Sequence, residues 1–205
     1  AQGPTINGDG FIINVDEFNF LVAQDARNKE VLFPYLNGDY LNNLSDFSIP
    51  QAYVINFRNW PLEIAQSYPA VFKIVQDKVR PKRESLTGQI HESRFWLHWD
   101  RREGFFSKFS EFEFFLATTI TTKHLAFSLI SKNWYCSHAI KLFAFDDYGV
   151  FSVLQSNFHE KWARQYSSQL ETRLRYSTSD AFDTFPFPKD PSGLEQIGET
   201  YHETR

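Results

Sequence analysis

Residues 112–145 read FEFFLATTITTKHLAFSLISKNWYCSHAIKLFAF, and their pattern decides the fold class. Apolar side chains alternate with small or polar ones over residues 125–129 and again over residues 140–142. This is the two-residue period of a β-strand with one buried face. Lys132 and Asn133 lie between these segments and are typical of a turn. The stretch therefore predicts an antiparallel meander of short strands.

Helical patterns precede these strands. Pro69 suits the first turn of a helix, where its missing N–H is not needed. The apolar residues that follow it at helical spacing are Phe72, Val75 and Val79. Before this helix, residues 53–57 are β-branched or aromatic and predict a buried strand. Asp16 is suited to cap an earlier helix that begins at Glu17.

A longer helix is predicted after the strands. Asp146 or Asp147 can cap it, and the pattern carries it to about Tyr166. The apolar side chains that we expect to form its buried face are Phe151, Leu154, Phe158 and Trp162. Together these elements predict an α+β fold, with a small antiparallel or mixed sheet and flanking helices.

The two ends of the chain differ in composition from its middle. Residues 1–10 are polar and Gly-rich and predict a flexible arm. Pro186 and Pro188 close the apolar part of the sequence, and a mobile tail is predicted over residues 189–205. One domain is therefore expected over residues 11–188 of this 205-residue chain.

Composition excludes several classes of protein. Aromatic residues make up 18% of the chain, which supplies ample apolar surface for a core and argues against disorder. No run of 18 apolar residues could span a membrane, and residues 1–10 lack the basic and apolar regions of a signal peptide. The single cysteine, Cys136, excludes an internal disulfide and fits a reducing, cytoplasmic location.

Charge is unevenly distributed. The chain as a whole carries a net charge of −4, which alone argues mildly against a free-standing nucleic-acid binder. Residues 78–102, however, hold seven basic and three acidic residues, and residues 161–175 hold four basic and one acidic residue. The remainder is strongly acidic, so two basic segments stand out.

Most catalytic motifs are absent from the sequence. It contains no Pro-Pro dipeptide, no glycine-rich phosphate loop, no G-x-S-x-G elbow and no acidic residue followed two positions later by Lys. Cys136 and His138 are two positions apart, but a structural zinc site needs four ligands, so a metal is not expected. No catalytic residue is predicted.

Basic and aromatic residues interleave in one short segment. These residues are Arg94, Phe95, Trp96, His98, Trp99, Arg101 and Arg102. Guanidinium groups contact phosphates or read guanine edges, and aromatic rings stack on bases or pack on sugars. The structural alternative is a salt-bridged surface beside a core tryptophan, and composition alone does not decide between the two.

Three blocks of sequence, taken in order and spacing, carry a resemblance. The first is residues 28–41, NKEVLFPYLNGDYL. The second begins with residues 54–61, VINFRNWP, and continues through Tyr68-Pro69 to residues 79–83, VRPKR. The third begins with residues 143–147, FAFDD, and runs through His159-Glu160, residues 174–177 and Phe185-Pro186-Phe187-Pro188. The chain resembles the C-terminal target-recognition regions of large single-chain restriction–modification methyltransferases, the MmeI-like and TaqI-like groups.

The resemblance implies a division of labour within a longer protein. In that family an upstream domain binds S-adenosylmethionine, carries an Asn-Pro-Pro-Tyr or Asn-Pro-Pro-Phe site and methylates the N6 of a flipped adenine. The downstream region reads the surrounding bases. This chain lacks the catalytic motif, so we expect it to be the recognition domain alone, with no cofactor of its own. Its expected partners are double-stranded DNA and the methyltransferase domain of the same longer chain, and no membrane.

Base-reading residues are expected between the shared blocks, which we interpret as framework. The candidates are Arg94, Trp96, His98, Arg101, Arg102, Lys123, Lys132 and Asn133. The candidates for phosphate contacts, or for docking on the catalytic domain, are Arg80, Lys82, Arg83, Lys161 and Arg164.

Two other functions stay open. A protein-interaction module that docks on a separate methyltransferase or nuclease subunit would fit the net charge of −4 and the aromatic content. A small-molecule enzyme is less favoured, because the sequence shows no acid–base or nucleophile constellation.

Overall fold

Three small sheets and their flanking helices form the fold in the computed structural model, which describes residues 1–43, 47, 49–85, 94–100 and 111–204. The strands are β1 Ile12–Asn14, β2 Leu32–Leu36, β3 Ala52–Ile55, β4 Phe114–Thr119, β5 Thr121–Thr122, β6 Ser128–Ser131, β7 Tyr135–Cys136, β8 Ile140–Phe143, β9 Ser168–Leu170 and β10 Arg173–Arg175. The α-helices are α1 Val15–Gln24, α2 Gly38–Asn43, α3 Leu62–Gln66, α4 Pro69–Lys78, α5 Arg80–Glu84, α6 Tyr148–Gln155, α7 Asn157–Tyr166 and α8 Glu195–Thr204. The predicted α+β class is confirmed.

The first sheet has the strand order β1-β3-β2-β7. Its central strand, β3, confirms the strand expected near residues 53–57, although it begins and ends earlier. Helix α4 begins at Pro69 as predicted and buries Val71, Phe72 and Val75 in the same apolar core as this sheet. Buried side chains from β1, β2 and β3 all belong to one apolar core, which is the largest among the described residues.

Helix α1 begins two residues before the predicted start. The side chain of Asn14 accepts a hydrogen bond from the backbone N–H of Glu17, and the Glu17 side chain accepts one from the backbone N–H of Asn14. This reciprocal capping box replaces the expected cap at Asp16, which lies inside the first turn.

The second sheet has the order β6-β4-β8, so β4 pairs with both of the other strands. The prediction of a simple meander is wrong. After the turn at Lys132 and Asn133 the chain does not return along β6. It forms β7, which pairs in parallel with β2 of the first sheet, and only then returns as β8 along the far edge of β4. This excursion joins the two sheets.

Ser156 interrupts the long helix that the sequence predicts over residues 147–166. Asp147 caps α6 as expected, but the Ser156 hydroxyl accepts a hydrogen bond from the backbone N–H of His159 and starts α7. The new helix presents His159 and Ala163 to the core in place of Phe158. Phe158 is 82% exposed, so its predicted burial is wrong.

The third sheet has the order β5-β10-β9. Strands β9 and β10 follow α7 directly and form an antiparallel hairpin, in which Arg173 faces Leu170 and Arg175 faces Ser168. Glu171 turns the hairpin with a positive φ of 58°. Leu174 is buried in a second apolar core, which lies between the second sheet and helix α6, while its neighbours in β10 are exposed. This one side chain anchors the hairpin.

The first residues of the chain pair with the second sheet. The backbone N–H of Gly3 donates to the carbonyl of Ile140 at 3.0 Å, and Gln2 is bridged to Lys141. A side chain at Gly3 would lie 2.2 Å from the carbonyl oxygen of Ser137, so only glycine allows this approach. The mobility expected for residues 1–10 stays a prediction, although these contacts hold part of the segment on the domain.

The tail expected to be mobile contains helix α8, which packs on α6. The approach is close at Gly198, where an added Cβ would lie 2.1 Å from the carbonyl oxygen of Tyr148. Ser152 also donates a hydrogen bond to the carbonyl of Leu194 at 3.0 Å. The mobility of residues 189–205 in solution stays a prediction, and one substitution in α8 tests it.

We expect Gly198→Ala to separate α8 from α6, because the added methyl group collides with backbone that cannot move aside cheaply. Hydrogen exchange over residues 195–204 should rise at least about tenfold, while the rest of the domain keeps its protection. Gly193→Ala is the matched control, since no atom lies within 4 Å of its added Cβ. Equal exchange in the two variants would show that the helix does not depend on this contact.

Candidate nucleic-acid interface

Two of the expected base readers, Trp96 and His98, are buried in the apolar core around the first sheet. Trp96 is 9% exposed, and its indole N–H donates to the carbonyl of Trp60 at 2.9 Å. His98 is 4% exposed, and its ring nitrogens lie 2.6 Å from the hydroxyl of Tyr135 and 2.8 Å from the carbonyl of Ile55. A base could reach neither ring without local unfolding. The structure therefore favours the structural alternative for both residues.

Arg83, an expected phosphate or docking contact, is also buried. Its guanidinium donates to the carbonyls of Ile6 and Asn7 on one side and to those of Arg94, Phe95 and Leu97 on the other. Its carbon lies 5.2 Å from the ring centroid of Phe11. This arginine joins two distant segments and does not face solvent.

The remaining candidates of this basic region are Arg94, Arg101 and Arg102, which are close in sequence to Trp96, and Arg80 and Lys82, which lie on α5. Arg94 is exposed, whereas Arg101 and Arg102 lie outside the described residues. Arg80 and Lys82 are exposed on α5, where Arg80 pairs with Glu84 at 2.6 Å and Lys82 approaches Asp9 at 3.9 Å. These weak surface pairs leave both cations accessible to a phosphate.

Lys123 and Arg164 are brought together by the fold. The Arg164 guanidinium donates to the carbonyl of Lys123 at 3.0 Å and to the carboxylate of Glu160 at 2.7 Å. The remaining candidates are exposed elsewhere: Lys132, which pairs with Glu113 at 2.7 Å, Asn133 in the turn after β6, and Lys161 on the outer face of α7.

The described residues also form a groove that the sequence analysis did not single out. It consists of two adjoining depressions that share Gln2, Ile120 and Arg175. The first is also lined by Lys141, Ser168, Tyr176, Ser177, Thr178, Ser179 and Asp180, and the second by Gly38, Asp39, Asn42, Thr119, Thr121, His138, Ala139 and Leu170. The ends of β4 and β8, helix α2 and the β9–β10 hairpin thus meet around one arginine.

The hairpin gives this groove a basic rim. Arg173 and Arg175 are exposed on the same face of β10, because side chains two positions apart in a strand point the same way. Arg173 pairs with Glu171 at 3.0 Å. The sequence signal for this ribbon is the alternation R-L-R directly after a turn, and it lies inside the basic segment 161–175. The charge count found the segment but not these two arginines as candidates.

Two hydrogen-bonded side chains, Tyr176 and His159, are buried next to the groove. The backbone N–H of Tyr176 donates to the carbonyl of Ile120 at 2.7 Å, and its hydroxyl lies 2.8 Å from Nε2 of His159. Burial raises the pKa of the Tyr176 hydroxyl and lowers the pKa of His159 to about 4. Both groups are therefore neutral at pH 7, as expected for side chains that are buried beneath the surface of the groove.

A metal centre is not formed by the described residues. No group of three or more His, Cys, Asp and Glu side chains in that part of the chain is placed to hold an ion. Cys136 is buried in β7, and burial raises the pKa of its thiol, which disfavours the thiolate that a metal needs. Within the same residues, no helix is long and apolar enough to cross a membrane.

Comparison with known proteins defines the class. The model of the family described as MmeI, target recognition domain, matches residues 4–189, which is most of the chain. The chain belongs to the family of MmeI target recognition domains.

A solved structure shows the same fold. The type IIL restriction–modification enzyme MmeI, whose structure was determined in complex with DNA, matches 100% of this chain at 18% identity with a TM-score of 0.78. This chain covers 27% of that MmeI chain. No curated protein matches the sequence.

Proposed function

We propose that this domain recognises a specific sequence in double-stranded DNA for an adenine-N6 methyltransferase domain of the same longer chain. The family match over residues 4–189 is the observation that carries the proposal. S-adenosylmethionine is assigned to the methyltransferase domain, because this sequence contains neither a Pro-Pro dipeptide nor a glycine-rich cofactor loop. A cytoplasmic location in a restriction–modification system belongs to the same proposal.

The groove and the β9–β10 hairpin are the surface that we assign to DNA. A two-stranded ribbon fits the major groove of B-DNA, and an arginine there can donate two hydrogen bonds to O6 and N7 of guanine. Arg175 lies on the shared wall of the groove and suits this role. Asp39 and Asp180 line the same groove, and a carboxylate there can accept from the amino group of cytosine.

The charges around the groove suit contacts to the backbone of the same duplex. Lys141 lines the groove, and elsewhere on the domain Arg164 is held beside Lys123. The acidic remainder of the chain opposes binding over longer distances, where salt screens it, while the local cations act at contact. The net charge of −4 is therefore compatible with a localised DNA site.

A selection from a randomised duplex pool over a salt series tests the function. We expect one enriched motif, and we expect the logarithm of the binding constant to fall linearly with the logarithm of salt concentration. The experiment should be run with this chain and with the longer chain, because specificity can require the flipped base. A flat salt response with no enriched motif in either protein would contradict the proposal.

Substitution of Arg175 tests the site. Arg175→Gln should weaken binding to the selected motif by about 1–3 kcal/mol and relax the preference at one base pair. Arg164→Gln should instead weaken binding to all sequences about equally and reduce the salt slope. Arg27→Gln is the matched control, since Arg27 is an exposed arginine paired with Asp25 at 2.7 Å outside the groove. Equal losses at Arg175 and Arg27 would contradict the assignment of this groove.

A further inference from the structure

Helix α7 carries three aromatic side chains at steps of four residues, Phe158, Trp162 and Tyr166. Such positions lie along one side of an α-helix. Phe158 is 82% exposed and Tyr166 is 50% exposed, whereas Trp162 is half-buried. We call these three side chains the aromatic ridge. Single exposed apolar residues are common on proteins, but several aromatic side chains exposed along one side of a helix favour an interaction surface.

Two of the three ridge side chains, Trp162 and Tyr166, are held by contacts with each other and with neighbouring residues. The rings of Trp162 and Tyr166 lie 4.4 Å apart, and the ring of Phe185 lies 5.9 Å from that of Trp162. The indole N–H of Trp162 donates to the hydroxyl of Thr184 at 3.3 Å. Rigid aromatic side chains lose little conformational entropy on binding, which favours their use as anchors.

Charge separates the ridge from the DNA surface. Glu160 and Arg164 lie four residues apart on the other flank of α7, where they form an ion pair and Arg164 also donates to the carbonyl of Lys123. The three ridge positions themselves carry no charge, and Lys161 borders them on the outer face. A surface of this kind suits a folded protein with an apolar patch better than a phosphate backbone.

The position of the ridge identifies the partner. Tyr166 lies two residues before Ser168, the first residue of the β9–β10 hairpin. A domain seated on the ridge would therefore stand next to DNA held at the hairpin, where a methyltransferase must stand to reach a base near the recognised sequence. The matched MmeI chain is nearly four times as long as this one, which covers 27% of it.

We propose that the aromatic ridge on α7 is the docking surface for the methyltransferase domain of the longer chain, with Phe158, its most exposed side chain, as the main anchor. This inference rests on the proposed function, since that function supplies the partner. The docking is a contact between folded domains, so it exists without DNA.

Hydroxyl-radical footprinting tests the docking, because it measures the solvent exposure of aromatic side chains directly. The longer chain and this 205-residue chain are compared without DNA. Phe158 and Tyr166 should be oxidised at least about fivefold more slowly in the longer chain. Phe20, which is 63% exposed on α1, is the internal control and should react equally in both. Unchanged oxidation of Phe158 and Tyr166 would overturn the proposal.

Other occupants give different patterns, and each of them also overturns the proposal. Protection that appears only after DNA is added would mean that the ridge contacts DNA. Protection in this chain alone that grows with its concentration would mean that a second copy covers the ridge. Selection from the duplex pool is independent of this readout, so a failure of DNA recognition is distinguished from a failure of docking.

A double substitution, F158S with Y166S, supplies the functional test in the longer chain. Methyl transfer to the selected motif should fall at least about tenfold, while the affinity for that motif stays within about threefold. Phe20→Ser is the matched control and should change neither quantity. Loss of affinity in parallel with methyl transfer, or no loss of either, would overturn the proposal.

Discussion

Replacing Arg83 by methionine is expected to cost about 3–5 kcal/mol of unfolding free energy. The substitution keeps an unbranched side chain of comparable reach but removes the donors that five carbonyl oxygens share. Each buried acceptor that loses its donor costs about 1–3 kcal/mol, although water can restore some of these bonds. The large effect arises because Arg83 is only 4% exposed.

The loss should also be visible in the structure around it. Arg83 connects residues 6–7 to residues 94–97, and those two segments are more than 80 positions apart in sequence. Hydrogen exchange at residues 94–97 should therefore increase in Arg83→Met beyond what global destabilisation explains.

Urea unfolding monitored by tryptophan fluorescence measures the effect. Arg80→Met is the matched control on the same helix, because Arg80 is exposed and pairs with Glu84 on the surface. That variant should stay within about 0.5 kcal/mol of the parent. Similar midpoints for the two variants would contradict the role assigned to Arg83.

Local signals in the sequence were sufficient for several elements. Pro69 starts α4 and Asp147 caps α6 as expected, because both act through neighbouring backbone groups. Strand β3 was found from its β-branched and aromatic residues. These features need no knowledge of distant contacts.

Sheet order and the helix break depend on contacts that the local pattern does not contain. Strand β7 lies between β6 and β8 in sequence, but it pairs with β2 of the first sheet, which is about 100 residues away in sequence. Phe158 falls on the apolar face of a helix that would continue from α6. Because Ser156 caps a new helix instead, α7 turns a different face to the core and Phe158 is exposed. A serine before a helical run is compatible with either reading, so the sequence alone favoured the longer helix.

The candidate site shows the same division. Composition located the basic segments, but the Arg83, Trp96 and His98 side chains turn inward because carbonyl and hydroxyl partners from distant segments surround them. Arg175 was missed as a candidate because its place in the groove depends on Gln2 and Ile120, which reach the same groove from other parts of the chain. Charge counts find basic segments, and tertiary contacts decide which members face a ligand.

Acidification is expected to destabilise the domain through His159. This side chain is fully buried, and desolvation lowers the pKa of its imidazole from 6.5 to about 4. The unfolded chain binds the proton with the ordinary pKa, so between these two values it holds more protons than the folded protein does. The contribution of His159 to the free energy of unfolding is therefore fully present above about pH 6.5. It is lost as the pH decreases towards 4, which lowers the stability of the domain by roughly 2–3 kcal/mol.

The comparison of parent and His159→Gln at pH 7 and pH 4 isolates this contribution. The variant cannot take up the proton, so its loss of stability between the two pH values should be smaller by roughly 2 kcal/mol, whatever its stability at pH 7. Acidic groups such as Asp25, whose carboxyl pKa is lowered by Arg27, add a further loss at low pH in both proteins and cancel in the difference. His124→Gln is the control at an exposed histidine and should keep the parent's dependence.

The same proton should disturb the proposed DNA-binding surface before the domain unfolds. Nε2 of His159 lies 2.8 Å from the hydroxyl of Tyr176, and Tyr176 follows Arg175 directly and is bonded to Ile120 on the groove wall. A charged imidazole at this buried position would draw in water and loosen β10. The backbone hydrogen-exchange protection of residues 173–176, measured relative to the intrinsic exchange rate at each pH, should therefore fall between pH 6.5 and 4.5 in the parent but not in His159→Gln. Equal acid responses in the two proteins would show that another group controls this region.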